Sequence, residues 1–204
     1  DCCGLLRDIS ALGRCAALNW LFGARCTELT AIPGLGGCSS LHTLKLSYCS
    51  QLSDISALRG SGLLHTLSLM FCPMLTDISA LGECGALHTL NLGYCSQLSD
   101  ISGLGGCGSL HTLKVANCYQ LTDISALGRC GSLHALSLSD CTGLIDISAL
   151  TGCLLLHTLN LNFCNSLGTV SCLAKCTKLR ILYIRGCKAH KTIPLVRTYQ
   201  VVSC

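Results

Sequence analysis

One offset dominates this 204-residue sequence, a period of 23. His42, His65, His88, His111, His134 and His157 follow one another at that interval, and only His190 stands outside the series. The leucine before each obeys the same spacing from Leu41 to Leu179. So does a ladder of nine cysteines: Cys3, Cys26, Cys49, Cys72, Cys95, Cys118, Cys141, Cys164 and Cys187. A second ladder holds Cys15, Cys38, Cys84, Cys107, Cys130, Cys153 and Cys176, with Ser61 in its one vacant rung. A unit this short cannot enclose a core alone, so a period held without insertion predicts stacked coils that close their interior against one another.

The unit from Leu87 to Ser109 shows how one coil would run. Leu90 and Leu92 alternate with Thr89, Asn91 and Gly93, the period-two pattern of a half-buried strand. Asp100 precedes Ile101-Ser102-Gly103-Leu104 and is placed to cap one or two helical turns. Gly105 and Gly106 then end the turn and return the chain to the next strand.

From Leu87 to Cys95 the unit follows the L-x-x-L-x-L-x-x-N/C core of the leucine-rich repeat, with Leu98 one place later than that pattern sets its next leucine. The chain therefore resembles the leucine-rich-repeat family, and the cysteine after each strand resembles its cysteine-containing class, although that class usually has somewhat longer units. The resemblance implies an α/β solenoid: a right-handed arc with a parallel sheet on the concave face and short helical or 3-10 turns on the convex face. One array is expected over residues 1–204, a partial unit at 1–17 followed by units beginning near 18, 41, 64, 87, 110, 133, 156 and 179. Both ends diverge: Gly23 replaces a strand leucine, Ala31-Ile32-Pro33 replaces Asp-Ile-Ser, and Arg180 takes the histidine place. Because Asp1 enters part-way through a unit, the natural array is expected to continue beyond it.

Composition narrows the class further. Half the residues are hydrophobic and 12% charged, which excludes a disordered chain. Polar residues interrupt every apolar run before it reaches spanning length, so no membrane helix is expected. The start, Asp1-Cys2-Cys3-Gly4, has no secretory signal. Nineteen cysteines could form a disulfide framework, but sixteen of them fall on the two ladders, with no C-x-x-C pair. We read them as inward-facing, reduced packing residues, which places the chain in the cytoplasm or another reducing compartment. The lack of an N-x-S/T sequon agrees with that expectation. Any reactive thiol is expected among Cys2, Cys172 and Cys204, off the ladders.

No residue set suggests catalysis, and no cofactor or metal is expected. The histidine ladder would stack its imidazoles roughly 5 Å apart, where shared protonation builds like charge and lowers the apparent pKa values. It reads first as one tolerated residue copied six times, with a pH-responsive or metal-decorated edge as the alternative. Asp8, Asp54, Asp77, Asp100, Asp123 and Asp146 form a third ladder, read as helix caps rather than calcium ligands. Gly103-Leu104-Gly105-Gly106-Cys107-Gly108 fits G-x-G-x-x-G, but it precedes a strand instead of opening a long helix, so it is no dinucleotide site.

Function should reside where the repeat varies. The candidate partner-binding residues on the concave side are Trp20, Phe22, Lys45, Tyr48, Met70, Phe71, Tyr94, Lys114, Asn117, Asp140, Phe163, Tyr183 and Arg185. Aromatics concentrate in the N-terminal half, the side chains that anchor protein interfaces. Residues 175–204 carry seven basic side chains and no acid, against seven basic and ten acidic elsewhere. That end could dock an acidic protein, nucleic acid or anionic lipid. The expected function is a protein–protein interaction or scaffold module. The alternatives are an extracellular or surface recognition receptor and, as the cysteine-type resemblance implies, a substrate-recruiting subunit of a ubiquitin ligase, although no F-box-like segment is present.

Overall fold

The structure, a computed structural model, describes residues 3–192 and 200–202. Among the described residues, nine three-residue strands form one parallel sheet in chain order. They are β1 (Trp20–Phe22), β2 (Thr43–Lys45), β3 (Thr66–Ser68), β4 (Thr89–Asn91), β5 (Thr112–Lys114), β6 (Ala135–Ser137), β7 (Thr158–Asn160), β8 (Ile181–Tyr183) and β9 (Gln200–Val202). From β1 to β8 the register follows the 23-residue period: Leu44 lies beside Leu67, Leu67 beside Leu90 and Leu90 beside Leu113. The last pair departs from it, since Ile181 lies beside Gln200.

Backbone hydrogen bonding runs well beyond the three strand residues. Upstream, His88 N–H donates to His65 O at 2.9 Å; downstream, Tyr94 N–H donates to Ala116 O at 2.8 Å. The ladder therefore covers seven positions per coil. We call the histidine side of the sheet its leading edge and the side holding Tyr94 its trailing edge.

The repeat-position leucines from Leu29 onward are buried in one continuous interior, together with the cysteines of both ladders from Cys26 onward, whereas Leu63, Leu154 and Leu155 lie off those positions and are exposed. No coil could bury its own leucines, so each coil is the inner wall of the next. The cysteines also tie coils together. Cys95 Sγ donates to Leu69 O at 3.3 Å, Cys118 Sγ to Leu92 O at 3.3 Å and Cys107 Sγ to Leu81 O at 3.2 Å, each reaching a carbonyl of the preceding coil. Burial pushes the thiols of Cys107, Cys141 and Cys153 up to about 12, so they are held protonated.

The convex side carries only short 3-10 turns among the described residues, such as Ser79–Glu83 and Ser102–Gly106. Between strand exit and glycine return a 23-residue coil leaves room for a single tight turn. The aspartate ladder lies one residue farther out than a capping position. Ile101 holds the cap place and contributes no side-chain bond, while Asp100 Oδ1 accepts from Ser102 N–H at 2.7 Å. The same bond recurs at Asp8, Asp54, Asp77, Asp123 and Asp146. These bonds from serine hold the Asp54 and Asp77 carboxyls below the ordinary carboxylate value. Where Ala31 replaces aspartate, the residue two on is Pro33, which has no N–H to satisfy. Glycine at the return is a steric requirement in several coils, since a Cβ on Gly106 would collide with the Gly82 carbonyl oxygen. No helix among the described residues is long and apolar enough to cross a membrane.

Candidate interaction surface

The trailing edge has a backbone feature that the repeat pattern conceals. Arg25, Tyr48, Phe71, Tyr94, Asn117, Asp140 and Phe163 all adopt φ between 57° and 63°, and Gly186 closes the series at 68°. Left-handed backbone suits glycine, then asparagine and aspartate, and is unfavourable for bulky side chains. The sheet imposes it, because each of these residues from Arg25 to Phe163 still donates its N–H to the next coil while the chain turns inward toward the buried cysteine. Four coils nevertheless place an aromatic ring there, Phe163 alone and three in consecutive coils. Tyr48 and Phe71 stack at 4.6 Å, Phe71 and Tyr94 at 4.0 Å, with planes within 10°. The Arg25 guanidinium lies 5.9 Å from the Tyr48 ring centre, extending the file by one rung.

The concave face divides the remaining candidates into three groups. Trp20 and Phe22 are 63% and 59% exposed at the first strand, with ring centres 6.2 Å apart, and Lys45 Nζ lies 5.3 Å from the Phe22 ring centre. Met70, half-buried, stands one residue before Phe71 and beside the aromatic file. Farther along, Lys114, Ala135, Ser137, Asn160 and Tyr183 are among the residues that line a shallow trough. Phe163 and Arg185 form the last group: the guanidinium lies 5.8 Å from the ring centre. A Cβ on Gly186 would stand 2.6 Å from Phe163 Cδ1, so glycine there makes room for the ring. Asn117 and Asp140 separate this end from the aromatic file, and Asn117 Oδ1 accepts from the Tyr119 hydroxyl at 3.0 Å. The candidates thus form an aromatic N-terminal group, a polar break, and a smaller cationic and aromatic group at β7 and β8.

On the leading edge the six histidine rings stack in file, with centres 4.1–5.1 Å apart and planes within 11°. Burial, reinforced by the neighbouring rings, lowers the pKa of His65 and His111 below the ordinary imidazole value.

Parallel coils in register, buried leucines after each turn and a ring file on either edge can be compared with known structures. An internalin from Listeria monocytogenes matches at a TM-score of 0.70 with 20% identity, over 96% of this chain and 58% of its own length. A second Listeria internalin, C2, matches at 0.72 with 23% identity, over 85% of this chain and 76% of that one. The leucine-rich repeat domain of the type III effector XopL matches at 0.76 with 20% identity, over 96% and 72% respectively. The fold is that of a leucine-rich-repeat solenoid. No protein-family model and no curated protein sequence matches the chain, so the likeness is one of architecture.

Several features of this leucine-rich-repeat solenoid were not legible in its sequence. Tyr and Phe are poor indicators of left-handed backbone, so the twist at Tyr48, Phe71 and Tyr94 had no residue signal. Arg25 belongs with the aromatic file, a role that its charge alone did not reveal. Tyr119 is an exposed aromatic beside Asn117. Cys172 is less available than its place off the ladders suggests: it is half-buried, its Sγ donates to Ile147 O at 3.4 Å, and burial pushes it up to about 11. Among the described residues the exposed thiols are Cys3 and Cys15. Cys2, Cys204 and Arg197 lie outside the described residues.

Proposed function

We propose that this solenoid is a protein-binding module that receives its partner along the concave face and trailing edge, with Tyr48, Phe71 and Tyr94 as the anchor. The observation that carries this reading is the stacked ring file on left-handed backbone. A non-glycine residue in that conformation costs about 1–2 kcal/mol. Asparagine, aspartate and glycine occupy the same place in later coils, so the core does not require aromatic rings there. Rings in such a file are ordered in advance, which lowers the entropic cost of docking a partner on them. Trp20, Phe22 and Met70 extend the apolar area, and Lys45, Lys114, Tyr183 and Arg185 supply polar contacts around it. Binding, rather than catalysis, is the role assigned to these residues.

Affinity capture with the intact chain and with a Tyr48→Ala/Phe71→Ala/Tyr94→Ala variant tests the surface, once circular dichroism has established that the variant folds. The expected result is loss of a specific set of captured proteins. An unchanged set means that the partner uses another face.

We also propose that the chain works in a reducing compartment, a reading supported by the many buried protonated thiols. Thiol titration of the native protein under denaturing, non-reducing conditions separates this from a surface receptor. Mostly free thiols agree with it, and mostly bridged ones favour the receptor.

A further inference from the structure

We propose that the stacked histidines of the leading edge, continued by Arg180, form an acid-activated docking line for a linear polymer of tetrahedral oxyanions, phosphate or sulfate. The row lies on the opposite edge of the sheet from the aromatic file and does not depend on the partner assigned to that file.

Each ring is anchored through Nδ1. In His42, His65, His88 and His111 it lies 3.3–3.4 Å from the hydroxyl of the following threonine. In His134 and His157 it donates to the carbonyl oxygens of Ser132 at 2.7 Å and Leu155 at 2.6 Å. With Nδ1 carrying the hydrogen in those two rings, Nε2 is the nitrogen that takes up a proton, and the ring then offers an N–H on its outer side. Arg180 N–H donates to His157 O at 2.8 Å, so this residue is the seventh rung of the same ladder, a permanent cation at its end.

Among the described residues, the surroundings hold no competing anion. Among the columns flanking the row, the residue before each leucine is charged only at Lys178, the first two strand positions of β1 to β8 carry no charge, and the third carries Lys45 and Lys114. The described acids are engaged elsewhere. Six aspartates bind serine N–H groups at the convex turns, Glu28 and Glu83 face Arg7 and Arg59, and Asp140 sits at the trailing edge. A protonated row is therefore a cationic line with no internal counterion.

The stacking also narrows the ligand. Ring faces are taken up by neighbouring rings, so a nucleobase finds no face along the row on which to lie. Parallel planes aim the Nε2 atoms side by side instead of at one point, and no group of three metal-ligating residues converges among the described residues. What remains is a file of edge-on donors about 4–5 Å apart, suited to the oxygens of a charged chain. Phosphate and sulfate polymers keep their charge at the acidity where imidazoles gain theirs. Like charges at this spacing repel, so an unliganded row resists full protonation. A bound polyanion removes that penalty, and binding and proton uptake strengthen each other.

The test measures binding of inorganic polyphosphate and of a sulfated oligosaccharide to the intact chain at about pH 5.5 and about pH 7.5, with circular dichroism at both. At least one is expected to bind at least about tenfold more tightly at the lower pH, and the one that binds more tightly identifies the source of the oxyanion. His88→Gln/His111→Gln should lose most of that gain. His111→Arg should bind at neutral pH with less dependence on acidity. Equal affinity at both pH values, an unaffected double variant, or polyglutamate binding as tightly as the better of the two probes would overturn the proposal.

Discussion

The two edges of the sheet differ in how they use the same repeat. On the leading edge one residue type recurs six times without change, on ordinary backbone. On the trailing edge the residue changes from coil to coil, Arg25, Tyr48, Phe71, Tyr94, Asn117, Asp140, Phe163 and Gly186, on backbone that disfavours most of them. Both edges stack their rings, because the ladder between them fixes the coil spacing. A uniform column can act only collectively, as a line of identical groups. A varied column can distinguish one partner from another, and there the conformational cost is tolerated.

If both ring files report only the spacing set by the core, removing a leucine beneath them should loosen both. Leu90 is fully buried between Leu67 and Leu113. Leu90→Ala should cost about 3 kcal/mol in denaturant unfolding and broaden the NMR signals of the His88 and Tyr94 rings together. Disturbance of one edge alone would mean that the edges are independently supported.

A smaller effect separates the edges by backbone. Tyr94→Ala should cost about 1 kcal/mol through the lost ring stack, and Tyr94→Gly should be about 1 kcal/mol more stable than Tyr94→Ala because glycine accepts positive φ freely. At His88, where φ is not left-handed, the order should reverse, with His88→Gly below His88→Ala. The same ranking at both sites, read from chemical denaturation, would remove the distinction.

The smallest effect is that of pH. The folded pKa values of His65 and His111 are depressed below that of the unfolded chain. Their contribution is therefore complete above the ordinary imidazole value and is lost as pH falls through the folded one. Thermal melts should show modestly lower stability at about pH 5 than at about pH 7, with the difference reduced in His65→Gln/His111→Gln. The contributions of Asp54 and Asp77 are lost in a separate window below the ordinary carboxylate value, because their serine bonds depress them too. Trailing-edge substitutions should leave the histidine-dependent slope unchanged.

Most of the architecture could be read from the sequence because it depends on periodicity. The 23-residue offset set the parallel register, the leucine and cysteine positions named the interior, and the varying positions named the candidate surface. Three features depended on backbone detail that residue identity does not carry. The left-handed turn at the trailing edge is imposed by the ladder and occurs under tyrosine as well as glycine. The aspartate bond lies one residue outside the cap because the turn is 3-10 and begins at serine. Cys172 looked available because it lies off the ladders, yet its place in a 3-10 turn brings its thiol to the Ile147 carbonyl.

Ring-to-ring nuclear Overhauser contacts in protein labelled at histidine and aromatic side chains test the central claim most directly, that residues 23 apart are neighbours on both edges. The account predicts cross-peaks from His65 to His88 and from Phe71 to both Tyr48 and Tyr94. Rings lacking these contacts, or contacts between residues separated by some other interval, would contradict it.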